Sequence, residues 1–250
     1  MRTLIVEDQS MFNDLLCKVC RSYLPAMEII AVDCATQARA SLQQTGWMLM
    51  ILDIHLPDGN GFELADEALS LVPALKILGI SADCSDCTVY EAFHSPLHAF
   101  LDKSSQCVQD LLQALQVITA GGKYYSPAVL AMMHKLDSSP DSFTKLLSPQ
   151  EILILRHVGA GRHDAEIAQR LEIAPGTVKW HCKQLLRRLG VKDRAELIIY
   201  ANRKGFANLA SPQPRPCQWR SPNRPCSQTC PAPPPPDSKS DSRASIMFSN

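Results

Sequence analysis

No apolar run in this 250-residue chain approaches the roughly 18 residues that a membrane-spanning helix needs. Glu7-Asp8 also interrupts any leader-like start, so a cytoplasmic protein without a membrane partner is expected. No internal repeat is present, which argues against a solenoid. Net charge is absent too, since 25 basic side chains balance 25 acidic ones. That balance is global and not local. Residues 1 to 125 carry 7 basic and 15 acidic side chains, whereas residues 145 to 204 carry 12 basic and 6 acidic. An acidic unit joined to a basic one points to an anionic partner, nucleic acid in particular, for the second.

Histidine is missing from the stretch after Ser211, so Cys217, Cys226 and Cys230 cannot complete a four-ligand zinc site there. The other seven of the 10 cysteines are scattered among segments with their own apolar periodicity, which argues against a disulfide scaffold. Cys17 and Cys20, one helical turn apart, are expected to be buried thiols. Cys84 and Cys87 stand in a loop after Ser81, where a redox influence would require an acidic thiol.

What the chain does contain is a repeated event. Leu49-Met50-Ile51-Leu52, apolar throughout, reads as a strand buried on both faces, and Asp53 is the first carboxylate after it. Leu4-Ile5-Val6 is likewise followed by Glu7-Asp8, Ile77-Leu78-Gly79-Ile80 by Ser81, and Ala99-Phe100-Leu101 by Asp102-Lys103. Ile29-Ile30-Ala31-Val32 supplies a fifth strand. Helical spacing of apolar residues is expected over Met11 to Tyr23, Ala35 to Gln43, Gly61 to Leu71, Thr88 to Phe93 and Gln106 to Thr119. The pattern predicts an α/β fold, a doubly wound five-stranded parallel sheet, over residues 1–122. Three carboxylates, a hydroxyl and an ammonium then converge on the rim where such sheets hold ligands. Hard oxygen donors of this kind suit magnesium, and the ammonium suits phosphoryl oxygens.

This constellation resembles the receiver domain of bacterial two-component response regulators, a flavodoxin-like fold, over roughly the first half of the chain. The resemblance implies strand order 2-1-3-4-5, Asp53 as phosphoacceptor, and Glu7, Asp8, Asp53 and the His55 backbone carbonyl as ligands of Mg2+. It implies that Ser81 and Lys103 contact phosphoryl oxygens and that Phe100 is the aromatic switch residue. Glu7 stands where many relatives have Asp, and Ser81 where many have Thr.

Tyr124-Tyr125-Ser126-Pro127 reads as a break, and residues 123–145 as a linker with a short helix over Val129 to Leu136. Residues 146–206 then predict a small all-α domain. Ser148-Pro149-Gln150-Glu151 combines an N-cap, a proline at the first helical position and a capping-box glutamate. Further helices are expected over Asp164 to Leu171, over Pro175 to Leu189 closed by Gly190, and from Asp193 onward. The turn from Glu172 to Ala174 makes a helix-turn-helix. On the third helix Val178, Cys182, Leu185, Leu186 and Leu189 form the buried stripe, opposite Lys179, Trp180, Lys183, Gln184 and Arg187. Glu166-Ile167-Ala168 with Thr177-Val178-Lys179-Trp180-His181 resembles the LuxR-type DNA-binding domain. That resemblance implies that Thr177, Lys179, Trp180, Lys183 and Arg187 face DNA, with the lysines on base edges or phosphate. His181 packs on the scaffold or contacts phosphate.

Residues 207–250 form a Pro-rich tail expected to be disordered, since it offers little apolar surface to offset ordering entropy. The expected whole is a phosphorylation-dependent transcriptional regulator, not an enzyme, with a histidine kinase as donor, DNA as target and a homodimer as the phosphorylated form. Two alternatives stand beside it. One is a DNA-binding regulator that works without phosphorylation and uses the first domain only to dimerise. The other is a phosphoaspartate hydrolase of the haloacid dehalogenase kind, which needs a second Asp where His55 stands.

Overall fold

The computed structural model describes residues 1–104, 107–140 and 142–209. Residues 210–250 of the Pro-rich tail with its three cysteines, the expected helix start at Gln106 and the linker residue Asp141 lie outside the described residues.

The elements of the first half are β1 (Arg2–Val6), α1 (Ser10–Tyr23), β2 (Glu28–Val32), α2 (Ala35–Leu42), β3 (Trp47–Asp53), a short antiparallel pair β4 (His55–Leu56) and β5 (Gly59–Asn60), α3 (Gly61–Leu71), β6 (Lys76–Ser81), α4 (Asp86–His94), β7 (Ala99–Asp102), α5 (Cys107–Thr119) and β8 (Tyr124–Tyr125). The main sheet is parallel and runs β2-β1-β3-β6-β7-β8. Its first five places carry the expected order. The sixth is a correction to the expected five strands, because a two-residue strand has no periodicity to read and Tyr124-Tyr125 looked like a break. It pairs because the Tyr124 N–H donates to the His98 carbonyl at 3.0 Å and the Ser126 N–H to that of Phe100 at 3.1 Å. The Tyr124 hydroxyl also donates to the Asp110 carboxylate of α5 at 3.0 Å, with the Gln113 side chain equally close.

Side chains alternate along a strand, so each apolar run serves two cores. Ile5, Leu49, Ile51, Leu78, Ile80 and Leu101 pack on α1 and α5, while Leu4, Val6, Met50, Leu52, Ile77 and Phe100 pack on α2, α3 and α4. This two-sided burial explains why the strands read as unbroken apolar runs. It also forces the polar residues to the strand ends.

The second half is helical: α6 (Pro127–Ser138), α7 (Phe143–Leu146), α8 (Pro149–Gly159), α9 (Asp164–Arg170), α10 (Pro175–Leu189) and α11 (Arg194–Arg203), closed by a 3-10 turn at Phe206–Leu209. The single-turn α7 was not foreseen. The capping box forms as expected: the Glu151 N–H donates to the Ser148 hydroxyl at 3.3 Å, and the Ser148 N–H to the Glu151 carboxylate at 2.9 Å. Helix α10 stops at Gly190, whose φ of 66° few other residues adopt without strain. Glu172, at φ 53°, makes the turn between α9 and α10 and accepts a backbone penalty of about 1 kcal/mol. The core on the α4 side of the sheet continues into this half through Phe143, whose ring meets Tyr90 at 5.5 Å and Phe206 at 4.9 Å.

Candidate phosphoryl site and DNA-facing helix

Parallel register brings the strand ends together. Glu7 follows β1 directly, Asp53 ends β3, Ser81 ends β6, and Lys103 follows β7. Glu7 and Asp53 are almost wholly buried, at 1% and 4% exposure, whereas Asp8 is exposed. The Lys103 Nζ lies 2.7 Å from Asp53 Oδ2 and donates to Glu7 Oε1 at 2.9 Å. The His55 N–H donates to Asp53 Oδ1 at 3.0 Å, which fixes the carboxylate plane. Burial would depress the Lys103 ammonium, but hydrogen bonds and charge from Asp53 and Glu7 outweigh it and hold its pKa above the ordinary value. Burial raises the Glu7 carboxyl, with the Asp53 charge adding to the effect against the lowering pull of Lys103. Burial followed by the Asp53 charge raises Asp8 as well.

One oxygen of the cluster keeps lone pairs to spare. Glu7 Oε2 is buried and within 2.7 Å of Lys103 Nζ, yet it accepts no aligned hydrogen bond. A buried carboxylate oxygen with spare lone pairs is costly unless another positive group meets it. Ligand atoms of Glu7, Asp8 and Asp53 all lie within 4.8 Å of one another. An all-carboxylate donor set of that size fits a hard divalent cation.

Ser81 is brought to the rim, but its hydroxyl turns to its own loop. It donates to the Asp83 carbonyl at 2.9 Å and accepts from the Asp83 N–H at 3.0 Å. Phe100 is fully buried, with its ring 6.4 Å from that of Phe62. Two neighbours escaped the sequence reading. The Phe12 ring lies 4.9 Å from Lys103 Nζ and screens the ammonium from water. Asp83 Oδ2 lies 3.5 Å from His55 Nε2, without an aligned hydrogen bond, and so brings together the two loops that flank Asp53. Each is a short step from a residue already singled out, Phe12 five places after Glu7 and Asp83 two after Ser81. Only the fold shows which way they point.

The thiols behave as burial dictates. Cys17, Cys20, Cys84 and Cys87 are free. Burial pushes Cys84, Cys87 and Cys20 up to about 12. The Cys84 and Cys87 thiols are therefore protonated near neutrality, and the acidic thiol that a redox influence would require is not there.

On α10, Val178 and Leu185 are fully buried and Cys182, Leu186 and Leu189 pack against the same core. Thr177, Lys179, Trp180, Lys183 and Arg187 are exposed. Trp180, at 56% exposure, leaves a large apolar ring in solvent between two lysines. Its ring meets His181 edge-on at 4.8 Å. Arg188, next to this face, belongs to the scaffold, because it pairs with Glu151 at 2.9 Å and donates to the Leu146 carbonyl at 3.0 Å.

Comparisons with known proteins cover both halves of the chain. Residues 3–116 match the family described as response regulator receiver domain, and residues 145–201 match bacterial regulatory proteins, luxR family. Transcriptional regulatory protein LnrK of Bacillus subtilis (strain 168) is 26% identical over 170 residues, covering 64% of this chain and 77% of that protein. Response regulator protein VraR of Staphylococcus aureus (strain Mu3) is 27% identical over 153 residues, covering 61% and 73%. Among solved structures, DNA-bound RcsB of Salmonella enterica serovar Typhimurium superposes with a TM-score of 0.55 at 20% identity, covering 81% of this chain and 98% of that one. Residues 3–116 are thus a receiver domain and residues 145–201 a LuxR-type DNA-binding domain, the two parts of a two-component response regulator that acts on transcription.

Proposed function

We propose that Asp53 accepts a phosphoryl group from a histidine kinase and that the chain, in the cytoplasm, then binds DNA through α10 as a homodimer. The observation that carries the reading is Lys103 Nζ set between Glu7 and Asp53, at 2.9 and 2.7 Å, beside the carboxylate of Asp8. An Asp53 carboxylate oxygen attacks phosphorus while the bond from phosphorus to the donor's leaving group breaks. No proton needs to leave Asp53. The His55 N–H holds one carboxylate oxygen in place, and the Lys103 ammonium meets the charge spread over the equatorial oxygens. Glu7, Asp8, Asp53 and the His55 backbone carbonyl would hold Mg2+, which supplies further charge neutralisation on the transferring group. Ser81 donates its hydroxyl to a phosphoryl oxygen once its bonds to Asp83 are exchanged, and Phe100 responds from within the core.

The second half offers Thr177, Lys179, Trp180, Lys183 and Arg187 on one exposed helix face. Lysines on such a face gain affinity by displacing counterions from phosphates, while the indole offers an apolar surface for a thymine methyl. The deciding experiment is labelling of Asp53→Asn by acetyl phosphate with magnesium present. Labelling disappears if Asp53 is the acceptor, because an amide is a poor nucleophile and brings no charge to the cation site. Undiminished labelling would place the acceptor elsewhere.

A further inference from the structure

The loop that begins at Ser81 ends on the output half. Asp83 binds Ser81 through its backbone, and its carboxylate accepts from the Ser85 N–H at 2.9 Å and from the Thr88 hydroxyl at 3.3 Å. Ser85 is the N-cap of α4, a position whose side chain ordinarily satisfies a free N–H of the first turn. Here its hydroxyl contacts Asp83 and Thr88 and caps nothing. The Cys87 N–H of that first turn donates instead to the carbonyl of Lys204, at 3.0 Å. Lys204 is the C-cap of α11, so its carbonyl is itself a helix-end group without an intrahelical partner. The two helix ends satisfy each other, positive end to negative end.

Two details reinforce the splice. The Lys204 ammonium lies 2.6 Å from Asp86 Oδ2, and Arg156 of α8 pairs with Glu91 farther along α4. Gly205, at φ 81°, lies so close that a Cβ there would overlap the Ser85 side chain. Meanwhile Lys179, Trp180 and Lys183 stay exposed, so the splice does not cover the DNA-facing side of α10.

We infer that the α4–α11 splice is the link by which Ser81 reports to the output half: when Ser81 leaves Asp83, the α4 cap rearranges and its hold on Lys204-Gly205 changes. The inference rests on the reading of Ser81 as a phosphoryl contact. Coupling of this kind is reciprocal at equilibrium, so loosening the splice must also alter the level of phosphorylation reached with a given phosphodonor. It acts on the orientation of the output half and not by masking its binding face.

The test uses the full chain. Hydrogen exchange is followed over residues 84–90 and 200–207, and labelling by acetyl phosphate with magnesium is followed to its equilibrium level. Ser81→Ala should speed exchange in both stretches without any phosphorylation. Gly205→Ala should do the same and shift the labelling equilibrium by about fivefold or more. Asp86→Ala, which removes the ion pair without backbone strain, should act in the same direction more weakly. Gly161→Ala is the control, since that glycine has φ 75° and an added Cβ meets nothing within 4 Å; it should change neither readout. A Ser81→Ala chain that loosens only residues 84–90 overturns the link, as does a Gly205→Ala chain with parental exchange and labelling. If exchange is coupled but no chain labels at all, the link stands and the assignment of Asp53 falls.

Discussion

At the sheet rim, Lys103 holds its charge 2.7 to 2.9 Å from those of Glu7 and Asp53, with no more than 7% of any of these side chains exposed. On α10, Lys179, Lys183 and Arg187 stand in solvent and have no ion-pair partner among the described residues. On the proposed function, the contrast follows from what each region has to meet. A transferring phosphoryl group needs charge at fixed points, and a dry, rigid cluster delivers it without reorganising. A nucleic-acid backbone is itself an array of charge surrounded by counterions, so its partner gains by remaining hydrated until contact. The rim is thus sensitive to the loss of any one charge, and the helix to the number of charges it presents.

The sharpest way to break that contrast is Lys103→Met. It leaves two buried carboxylates without their counter-charge and should cost about 3 kcal/mol at neutral pH together with most of the labelling. The pH dependence has a definite sign. Glu7 is raised above 4.5 in the folded protein, so its contribution to stability is fully present below 4.5 and is lost as pH rises through the raised value. Removing Lys103 raises it further, and the defect should shrink as pH falls toward 4.5. Urea melts of parent and variant at about pH 7.5 and about pH 5 read this out; a pH-independent deficit would mean that lost packing, not charge, is responsible.

A smaller effect is expected on the exposed side. Lys179→Ala and Lys183→Ala should leave stability unchanged and weaken DNA binding, lowering the slope of log affinity against log salt by about one for each phosphate contact removed. A changed base preference at constant slope would move that lysine from phosphate to a base edge. Binding like the parent's across a salt series would remove both lysines from the interface.

The smallest effect sharpens the comparison by sign. His157 in α8 is pushed down to about 4, by burial first and then by Arg162 and Arg170. Its contribution is present above 6.5 and lost as pH falls toward about 4, the reverse of Glu7. Allowing for solvent screening, this amounts to on the order of 1 kcal/mol. His157→Gln should flatten the acid side of the stability profile of the output half, as followed by hydrogen exchange over α8. An unchanged profile would show that other groups set it.

Much of this was legible beforehand because burial leaves a mark in composition. The five long strands could be read from two-sided apolar runs, and α8, α10 and α11 from Ser148-Pro149, Gly190 and Asp193, where local chemistry sets the boundary. The strand-end residues at the rim followed from topology once the strands were placed. What escaped depends on contacts distant in sequence. Tyr124-Tyr125 is a strand only because β7 lies beside it, and α7 is a single turn held by Phe143 between Tyr90 and Phe206. The turn of the Ser81 hydroxyl onto its own loop and the Lys204 carbonyl at the start of α4 are invisible in sequence for the same reason. Neither involves a residue pattern, only a direction.

The two-residue β8 has a practical consequence for dissecting this chain. Ala99, Phe100 and Leu101 are completely buried, and Tyr124-Tyr125 covers the outer hydrogen-bonding side of that segment. A receiver fragment cut at Gly122, where the helical periodicity ends, would leave β7 as an uncovered edge of apolar residues, the kind of template on which strands from other molecules add. Such a fragment should self-associate in light scattering at micromolar concentration, while one carried through Ser126 should stay dispersed; equal behaviour of the two would show that β8 protects nothing.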